Sequence, residues 1–142
     1  FGNTLWEPDF DIIIKELTKS DGRIHLMGRY DHHDLWKVMN GIDMMVVPSS
    51  TLESFGLVVI ESLAYGIPVI ASDIVGSSYE YLNHGVNGFI FPIYAPATLT
   101  EIISKISKDP SIISRLRDNI VRPPQIEEEA FHVESLYHQL LH

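Results

Sequence analysis

The sequence of 142 residues contains no cysteine. A disulfide scaffold, a zinc site built on thiolates and a cysteine nucleophile are therefore excluded. No apolar run approaches the roughly 18 to 20 residues that span a bilayer, and residues 1–4 lack the basic stretch and apolar run of a secretory signal. We therefore expect an unprocessed, soluble, cytoplasmic protein without a transmembrane segment.

Basic residues are also few. The chain has 10 Lys and Arg against 19 Asp and Glu, a formal net charge of -9 at pH 7. This charge repels phosphate backbones, so nucleic acid is not an expected partner, whereas one small molecule carrying phosphate is compatible with it. With 45% hydrophobic and 20% charged residues, the chain is able to bury one core of ordinary size.

Several chemical motifs are missing. Neither a Gly-x-Gly-x-x-Gly fingerprint nor a Walker loop occurs, which disfavours dinucleotide dehydrogenases and P-loop enzymes. No Ser-His-Asp arrangement stands out, and His84 is typical of a turn. The run Asp31-His32-His33-Asp34 suggests a metal site, but no further ligand spacing supports one, and the run is also typical of an Asp N-cap and an exposed helical turn. We expect neither a metal nor another cofactor.

Apolar spacing and turn residues predict strands that alternate with helices. Such alternation is typical of an α/β fold with a doubly wound, Rossmann-like parallel sheet. The runs at 44–47 and 68–71 are continuously apolar, which predicts strands covered on both faces. The predicted strands are 23–27, 44–47, 68–71 and 88–92, and the predicted helices are 10–17, 31–40, 55–66, 77–82, 97–107 and 111–120.

A last helix is predicted after the two prolines at 123 and 124. Its apolar stripe consists of Ile126, Ala130, Val133, Tyr137 and Leu140, and a stripe of this kind needs a partner surface. We expect it either to dock on protein outside the α/β unit or to be mobile in this part of the protein. This divides the chain into a Rossmann-like α/β domain, residues 1–122, and a terminal helix, residues 123–142.

The loop before the predicted helix at 55–66 is the richest candidate site. Ligands of open α/β sheets bind at the carboxyl ends of the strands, and here the loop leaves the buried strand 44–47. Ser54 is a candidate N-cap. The backbone N–H groups of Phe55, Gly56 and Leu57 would then be free for an anion such as a diphosphate, and Gly56 would let it approach the backbone. A Val at this position is expected to abolish binding more than it lowers stability.

Two carboxylates flank this predicted anion site. Glu53 stands just before the helix and Glu61 about two turns inside it, on the order of 10 Å apart along the axis. That separation suits two groups that accept hydrogen bonds from hydroxyls on either side of a diphosphate. Each carboxylate by itself is more typical of a solvated helix residue or a partner of the helix dipole.

The segment Glu53-Ser54-Phe55-Gly56-Leu57-Val58-Val59-Ile60-Glu61-Ser62-Leu63-Ala64-Tyr65-Gly66-Ile67-Pro68-Val69-Ile70-Ala71-Ser72-Asp73 resembles the signature of the retaining, GT-B-fold glycosyltransferases of group 1, the glycogen synthase and sucrose synthase type. The resemblance continues at 26–28, at 43–49 and at 85–92, and residues 131–141 are similar to the family's closing helix, which crosses back to the amino-terminal domain. It covers nearly the whole chain, but only the nucleotide-binding half of such an enzyme.

The resemblance implies a hexosyl transfer from a nucleoside diphosphate sugar, with retention and without a metal. Phe55, Gly56 and Leu57 would donate N–H groups to the donor phosphates, Glu53 would hold the donor sugar as a catalytic group, and Glu61 would bind the ribose. The remaining donor-binding candidates are Ser54 in the loop and Gly28, Arg29 and Tyr30 beside the base. The partner would be an amino-terminal acceptor-binding domain of the same protein, and any contact with a membrane surface would belong to that half.

This chain departs from the family pattern at two places. Where the family commonly has Gly-Gly and then Pro-Glu, it has Gly76-Ser77-Ser78-Tyr79-Glu80, which leaves the roles of Ser77 and Tyr79 open. The basic Arg and Lys pair of the family would precede the first residue, so donor binding by this piece alone should be weak. The implied strand order, 3-2-1-4-5-6, would lack strand one and nearly all of strand two, and we expect a longer parent protein to cover the open edges.

Two other functions fit the same residues. One is a non-catalytic sugar-nucleotide-binding module that keeps the fold without turnover. The other is a sugar-nucleotide epimerase or hydrolase on the same fold. Assays for transfer, and analysis of the product, separate these from a transferase.

Overall fold

The structure, a computed structural model, describes residues 8–141, with residues 8–11 by their backbone alone. The chain divides into two units, Phe1–Val38 and Met39–His142. In the first unit, α1 (Pro8–Ser20) corresponds to the helix predicted at 10–17 and extends beyond it at both ends. The helical spacing of Phe10, Ile13, Ile14 and Leu17 predicts that these residues form one inner face. That face is not fully covered, because Ile13 and Leu17 are about half exposed. The predicted position of Phe10 on that face lies outside the described side chains.

The predicted strand at 23–27 does not form. These residues have no regular structure, and Ile24, Leu26 and Met27 are exposed. The alternating pattern was present, but a strand also needs a neighbour to bond its N–H and C=O groups, and no described segment pairs with this one. Instead Arg23 forms an ion pair with the Asp21 carboxylate at 2.5 Å.

The predicted helix at 31–40 forms as a short 3-10 helix, His32–Asp34, followed by α2 (Leu35–Met39). Asp31 occupies the N-cap position but its side chain makes no capping hydrogen bond there. Its backbone carbonyl accepts from the Asp34 N–H instead, at 2.8 Å. The predicted N-cap position of Asp31 is therefore confirmed, although without a capping bond from its side chain, and the predicted exposed first turn is confirmed at His32 and His33.

The second unit contains a parallel sheet of three strands in the order β1-β2-β3. The strands are β1 (Met45–Val47), β2 (Val69–Ser72) and β3 (Gly88–Phe91), and the helices are α3 (Leu57–Ala64), α4 (Gly76–Tyr81), α5 (Pro96–Lys108), α6 (Ser111–Asp118) and α7 (Ile126–Leu140). Helices follow each strand, so the predicted α/β class with parallel crossovers is confirmed.

Helices cover both faces of the sheet. Alternate residues of β2 point to opposite sides, and each side belongs to a separate buried cluster. One cluster, on the side of α3, consists of Val47, Val59, Leu63, Val69, Ala71, Val75 and Leu82. The other, on the side of α5 and α6, consists of Ile70, Phe89, Phe91, Ile102, Ile106, Ile112 and Leu116.

The two apolar strand runs differ in burial. All four residues of β2 are buried, as its continuous run predicts. In β1 the side chain of Val46 is 38% exposed, so the prediction that this strand is covered on both faces is wrong. The reason is position: β1 pairs with β2 on one side, and within residues 8–141 it has no strand on the other, so it is an edge.

The terminal helix α7 follows residues 121–125, which have no regular structure. Burial, the Glu80 carboxylate and, to a smaller extent, the Glu129 carboxylate of α7 raise the pKa of the Tyr81 phenol. The predicted stripe is not packed on the α/β unit: Ile126 is 80% exposed and Leu140 82% exposed. Docking on other protein stays a prediction. No helix in the described part of the chain is long and apolar enough to cross a membrane.

Close pairing of β2 with β3 leaves no room for a side chain at Gly88. A Cβ there would overlap the carbonyl oxygen of Val69 and lie 3.0 Å from the Leu82 Cδ2 atom. We expect Gly88→Ala to lower the free energy of unfolding of the full-length protein by about 1–3 kcal/mol, the usual cost of overpacking. Urea unfolding measures this. Gly22→Ala is the control, because nothing lies within 4 Å of its Cβ position, and equal stability of the two variants would contradict the steric argument.

Candidate functional site

The carboxyl ends of β1 and β2 are joined by backbone hydrogen bonds between the segments that follow them. The Glu53 N–H donates to the Ile74 carbonyl at 3.3 Å, and the Gly76 N–H donates to the Glu53 carbonyl at 2.9 Å. We call residues 48–56, which run from the end of β1 to the start of α3, the β1 loop. These two bonds fix the middle of the β1 loop against the end of β2.

The start of α4 fixes the rest of the β1 loop. The Ser77 N–H donates to the Phe55 carbonyl at 2.8 Å, and the buried Ser77 hydroxyl donates to the Gly56 carbonyl at 3.2 Å. Ser77, whose role the sequence left open, therefore holds the β1 loop. The sequence carried no signal for this contact, because it joins residues that are 21 positions apart. Tyr79 is 71% exposed and takes no part in it.

The carbonyl groups of Glu53, Phe55 and Gly56 are thus bonded, while the amides at the end of the β1 loop are not. Within residues 8–141 the N–H groups of Phe55, Gly56 and Leu57 donate to no other group. No side chain caps α3, so its first amides and the positive end of its dipole are available to an anion. The three predicted amide donors are therefore present as free groups.

Gly56, rather than Ser54, occupies the N-cap position of α3, and its φ is 77°. The prediction of Ser54 as the cap is wrong, because the chain turns through a left-handed residue before the helix begins. A Cβ on Gly56 would lie 2.5 Å from the Val75 Cγ1 atom and 3.0 Å from the Ser77 hydroxyl. The space beside Gly56 is therefore filled by the protein, which corrects the interpretation that this glycine makes room for a ligand.

Glu53 is partly buried next to this turn. Its carboxyl carbon is 3.6 Å from the Cβ position of Gly56, and its Oε2 atom accepts a hydrogen bond from the Ser49 hydroxyl at 2.7 Å. The carboxylate therefore stands at the start of α3, next to the free amides. The sequence did not identify Ser49 as its partner.

Glu61 lies in the second turn of α3 and is also partly buried. Its side chain makes no hydrogen bond or ion pair within the described residues. The β1 loop and α3 thus bring the candidates Glu53, Ser54, Phe55, Gly56, Leu57 and Glu61 into one segment. Arg29, Tyr30 and Gly28, which has a φ of 68°, belong to the first unit, and their place beside a base stays a prediction.

No positive side chain comes from the segments that form this site. Between Lys37 and Lys105 the sequence contains neither Lys nor Arg. An anion at the β1 loop would thus be held by amides and a helix dipole, with two carboxylates nearby. This supports the expectation that binding by this part of the protein alone is weak.

Other polar groups of the described chain do not form a second candidate site. The His84 Nδ1 atom accepts from the Ile90 N–H at 3.1 Å, as expected of a turn residue. Within residues 8–141 no group of three or more His, Cys, Asp or Glu side chains could hold a metal ion, and independence of metals and cofactors stays a prediction. A pocket of about 390 Å³ includes Arg117 and Arg122, but its Ile42 and Ile67 precede β1 and β2, at the opposite end of the sheet from the β1 loop.

Comparison with known proteins assigns most of the chain to a protein family. The family model for glycosyl transferases group 1 matches residues 13–122. The D-rhamnosyltransferase WbpZ of Pseudomonas aeruginosa is 30% identical over 119 residues, which cover 82% of this chain and 28% of that protein.

Two solved structures share the fold. HepE of Anabaena, in a complex with UDP-glucose, is 27% identical and superposes with a TM-score of 0.69 over 84% of this chain and 33% of HepE. Sucrose-phosphate synthase of Thermosynechococcus elongatus is 29% identical, with a TM-score of 0.74 over 94% of this chain and 35% of that enzyme. This chain spans about a third or less of the length of these relatives.

The geometry at Gly56 predicts a loss of stability on substitution. We expect Gly56→Ala to cost about 1–2 kcal/mol for the left-handed backbone and about 1–3 kcal/mol more for the overlap with Val75. Gly66→Ala is a matched control, because Gly66 has a φ of 72° but nothing within 4 Å of its Cβ position. Urea unfolding of the full-length variants measures both losses, and equal losses would show that the contact with Val75 is unimportant.

Proposed function

The chain belongs to the group 1 glycosyltransferases, and from this premise we propose that it is the donor-binding part of an enzyme that transfers a hexosyl group from a nucleoside diphosphate sugar to an acceptor with retention. The observation that carries the proposal is the β1 loop, where three free amides at the start of α3 stand beside Glu53. The complex of the related HepE with UDP-glucose supports a donor of this chemical class.

The amides of Phe55, Gly56 and Leu57 bind the diphosphate in this proposal. They are held in place before the ligand arrives, because the carbonyl groups of the β1 loop are bonded to the segment around Ser77. Donors that need no reorganisation stabilise the negative charge that develops on the leaving diphosphate. Since no Lys or Arg lies between residues 37 and 105, the remaining neutralising charge comes from another part of the protein.

The two glutamates accept hydrogen bonds from hydroxyls at the two ends of the donor. Glu53, next to the amides, binds the transferring sugar, and Glu61, farther along α3, binds the ribose. Ser54 lies in the same loop and contributes to donor binding, and Gly28, Arg29 and Tyr30 flank the base. The reaction proceeds without a metal, and a donor phosphate oxygen helps to accept the proton of the acceptor hydroxyl.

The acceptor is bound by an amino-terminal domain of the same protein. The chain spans only about a third of its solved relatives, and α7 exposes an apolar stripe that its own α/β unit does not cover. A helix of this kind fits the role of a segment that crosses to the partner domain.

Two alternatives keep the same site. A non-catalytic binding module would bind the donor without turnover, and an epimerase or hydrolase would alter the donor sugar without an acceptor. Incubation of the full-length protein with a labelled donor sugar separates the three functions, because only a transferase yields a labelled acceptor. The anomeric configuration of the product tests retention.

Substitutions of the two glutamates are expected to differ in their kinetic effect. Glu61→Gln should mainly raise the KM for the donor, because a ribose contact contributes similarly in the ground and transition states. Glu53→Gln should mainly lower kcat, because it orients the sugar that reacts. It should also raise the Kd of the sugar nucleotide to a smaller extent, because the same carboxylate contacts the sugar in the bound ground state. Loss of a hydrogen bond to a charged group is worth about 1.5–3 kcal/mol, so each of the two main effects should be roughly ten- to a hundred-and-fiftyfold.

Steady-state kinetics of the full-length variants measure these effects. Glu101→Gln, an exposed carboxylate on α5, is the control and should leave both constants unchanged. If Glu53→Gln keeps its kcat while Glu61→Gln loses it, the sugar and ribose ends of the site are reversed. If neither variant differs from the control, the β1 loop is not the donor site.

A further inference from the structure

Ser49 holds one oxygen of the Glu53 carboxylate. It lies in the β1 loop, two residues after β1 ends, and its hydroxyl donates to the Glu53 Oε2 atom at 2.7 Å. Within the described part of the chain the other carboxylate oxygen, Oε1, accepts no hydrogen bond. One oxygen is therefore held by the protein and the other is available to a ligand.

Ser49 is itself fixed by the central strand. The hydroxyl of Ser72, the last residue of β2, donates to the Ser49 carbonyl at 2.9 Å. Ser72 is completely buried, and β2 is paired with a strand on each side. The position of Ser49 thus depends on the best-packed strand of the sheet.

The backbone of Glu53 is fixed independently. Its N–H and C=O groups are bonded to Ile74 and Gly76. Without Ser49 the carboxylate would still start from the same Cα position, but its side-chain torsions would be free to change. The hydroxyl of Ser49 therefore selects the orientation of the carboxylate rather than the path of the loop.

We propose that Ser49 is a positioning residue that sets the Glu53 carboxylate for the hydroxyls of the donor sugar, with Ser72 as its anchor. This inference rests on the proposed function of Glu53. A carboxylate already held in one orientation loses little side-chain freedom on binding, and its free oxygen points along one direction. The contribution is specific to the sugar, because the diphosphate is held by backbone amides that Ser49 does not touch.

The test compares the binding of a sugar nucleotide with that of the nucleotide alone. Calorimetry on the full-length protein compares the Kd of UDP-glucose with that of UDP, and the Kd of GDP-mannose with that of GDP. For Ser49→Ala we expect the Kd of the sugar nucleotide to rise about five- to thirtyfold, because the freed Glu53 side chain has to be ordered again on binding, while the Kd of the nucleotide stays within about twofold. Ser49→Thr keeps a hydroxyl and should restore sugar-nucleotide binding.

Two serines serve as matched controls. Ser50→Ala removes an exposed hydroxyl of the same loop that has no partner within residues 8–141, and it should change neither Kd. Ser72→Ala, like Ser49→Ala, should raise the Kd of the sugar nucleotide relative to the Kd of the nucleotide alone. Its control is Ser78→Ala, which removes an equally buried hydroxyl that donates to the Val75 carbonyl instead, and urea unfolding checks that both buried variants remain folded.

A double substitution shows whether Ser49 acts through Glu53. In a Glu53→Ala background, Ser49→Ala should have no further effect on the Kd of the sugar nucleotide, since the group that it positions is gone. If Ser49→Ala in that background still raised the Kd of the sugar nucleotide about five- to thirtyfold, the proposal would be overturned. An equal weakening of nucleotide and sugar-nucleotide binding by Ser49→Ala would also overturn it, since this would show a general disturbance of the loop.

The remaining outcomes separate this inference from the proposed function. If Glu53→Gln weakens the sugar nucleotide selectively but Ser49→Ala does not, Glu53 keeps its role and the positioning role of Ser49 is rejected. If Glu53→Gln itself leaves the ratio of the two Kd values unchanged, the sugar-binding role of Glu53 is wrong, and that of Ser49 falls with it.

Discussion

The candidate site depends on the close approach of two backbone segments at the carboxyl edge of the sheet. The Glu53 and Phe55 carbonyls accept from amides at the start of α4, and a Cβ on Gly76 would overlap the Ser54 carbonyl. On the other side of the loop, Gly56 turns with a positive φ against Val75. Both glycines are therefore required by contacts within the protein. These contacts use the carbonyl groups of Glu53 and Phe55, whereas the amides of Phe55, Gly56 and Leu57 donate to no group within residues 8–141.

This arrangement gives the site an unusual electrostatic balance. Amides and a helix dipole supply positive potential, while the nearest ionisable side chains in the loop and helix are carboxylates. No cationic side chain comes from residues 38–104, and the chain carries a net charge of -9. Such a site favours a ligand that combines an anion with many hydroxyl groups over a simple anion. The proposed ligand, a nucleoside diphosphate sugar, has this composition, and the proposal requires further positive charge for its diphosphate from elsewhere in the protein.

Most of the second unit could be predicted from the sequence. Its helices and strands form within a few residues of the predicted bounds, because they show a helical periodicity or a continuous apolar run and several of them are bounded by Gly or Pro. Prediction failed where an element depends on a neighbour. The segment 23–27 alternates like a strand but finds no partner among the described residues, and Val46 of β1 is half-covered because its strand lies at an edge.

The sequence by itself determined the α/β class, the loop that carries the candidate site and the glutamates that flank it, because local spacing and residue type are sufficient for these. Only the tertiary structure decided which groups hold that loop. The Ser72 hydroxyl reaches Ser49 across 23 residues, and Ser77 reaches Gly56 across 21. Serines of this kind look like any polar residue in a sequence. Their function comes from burial beside a carbonyl group, which arises only when β1, β2 and α4 come together.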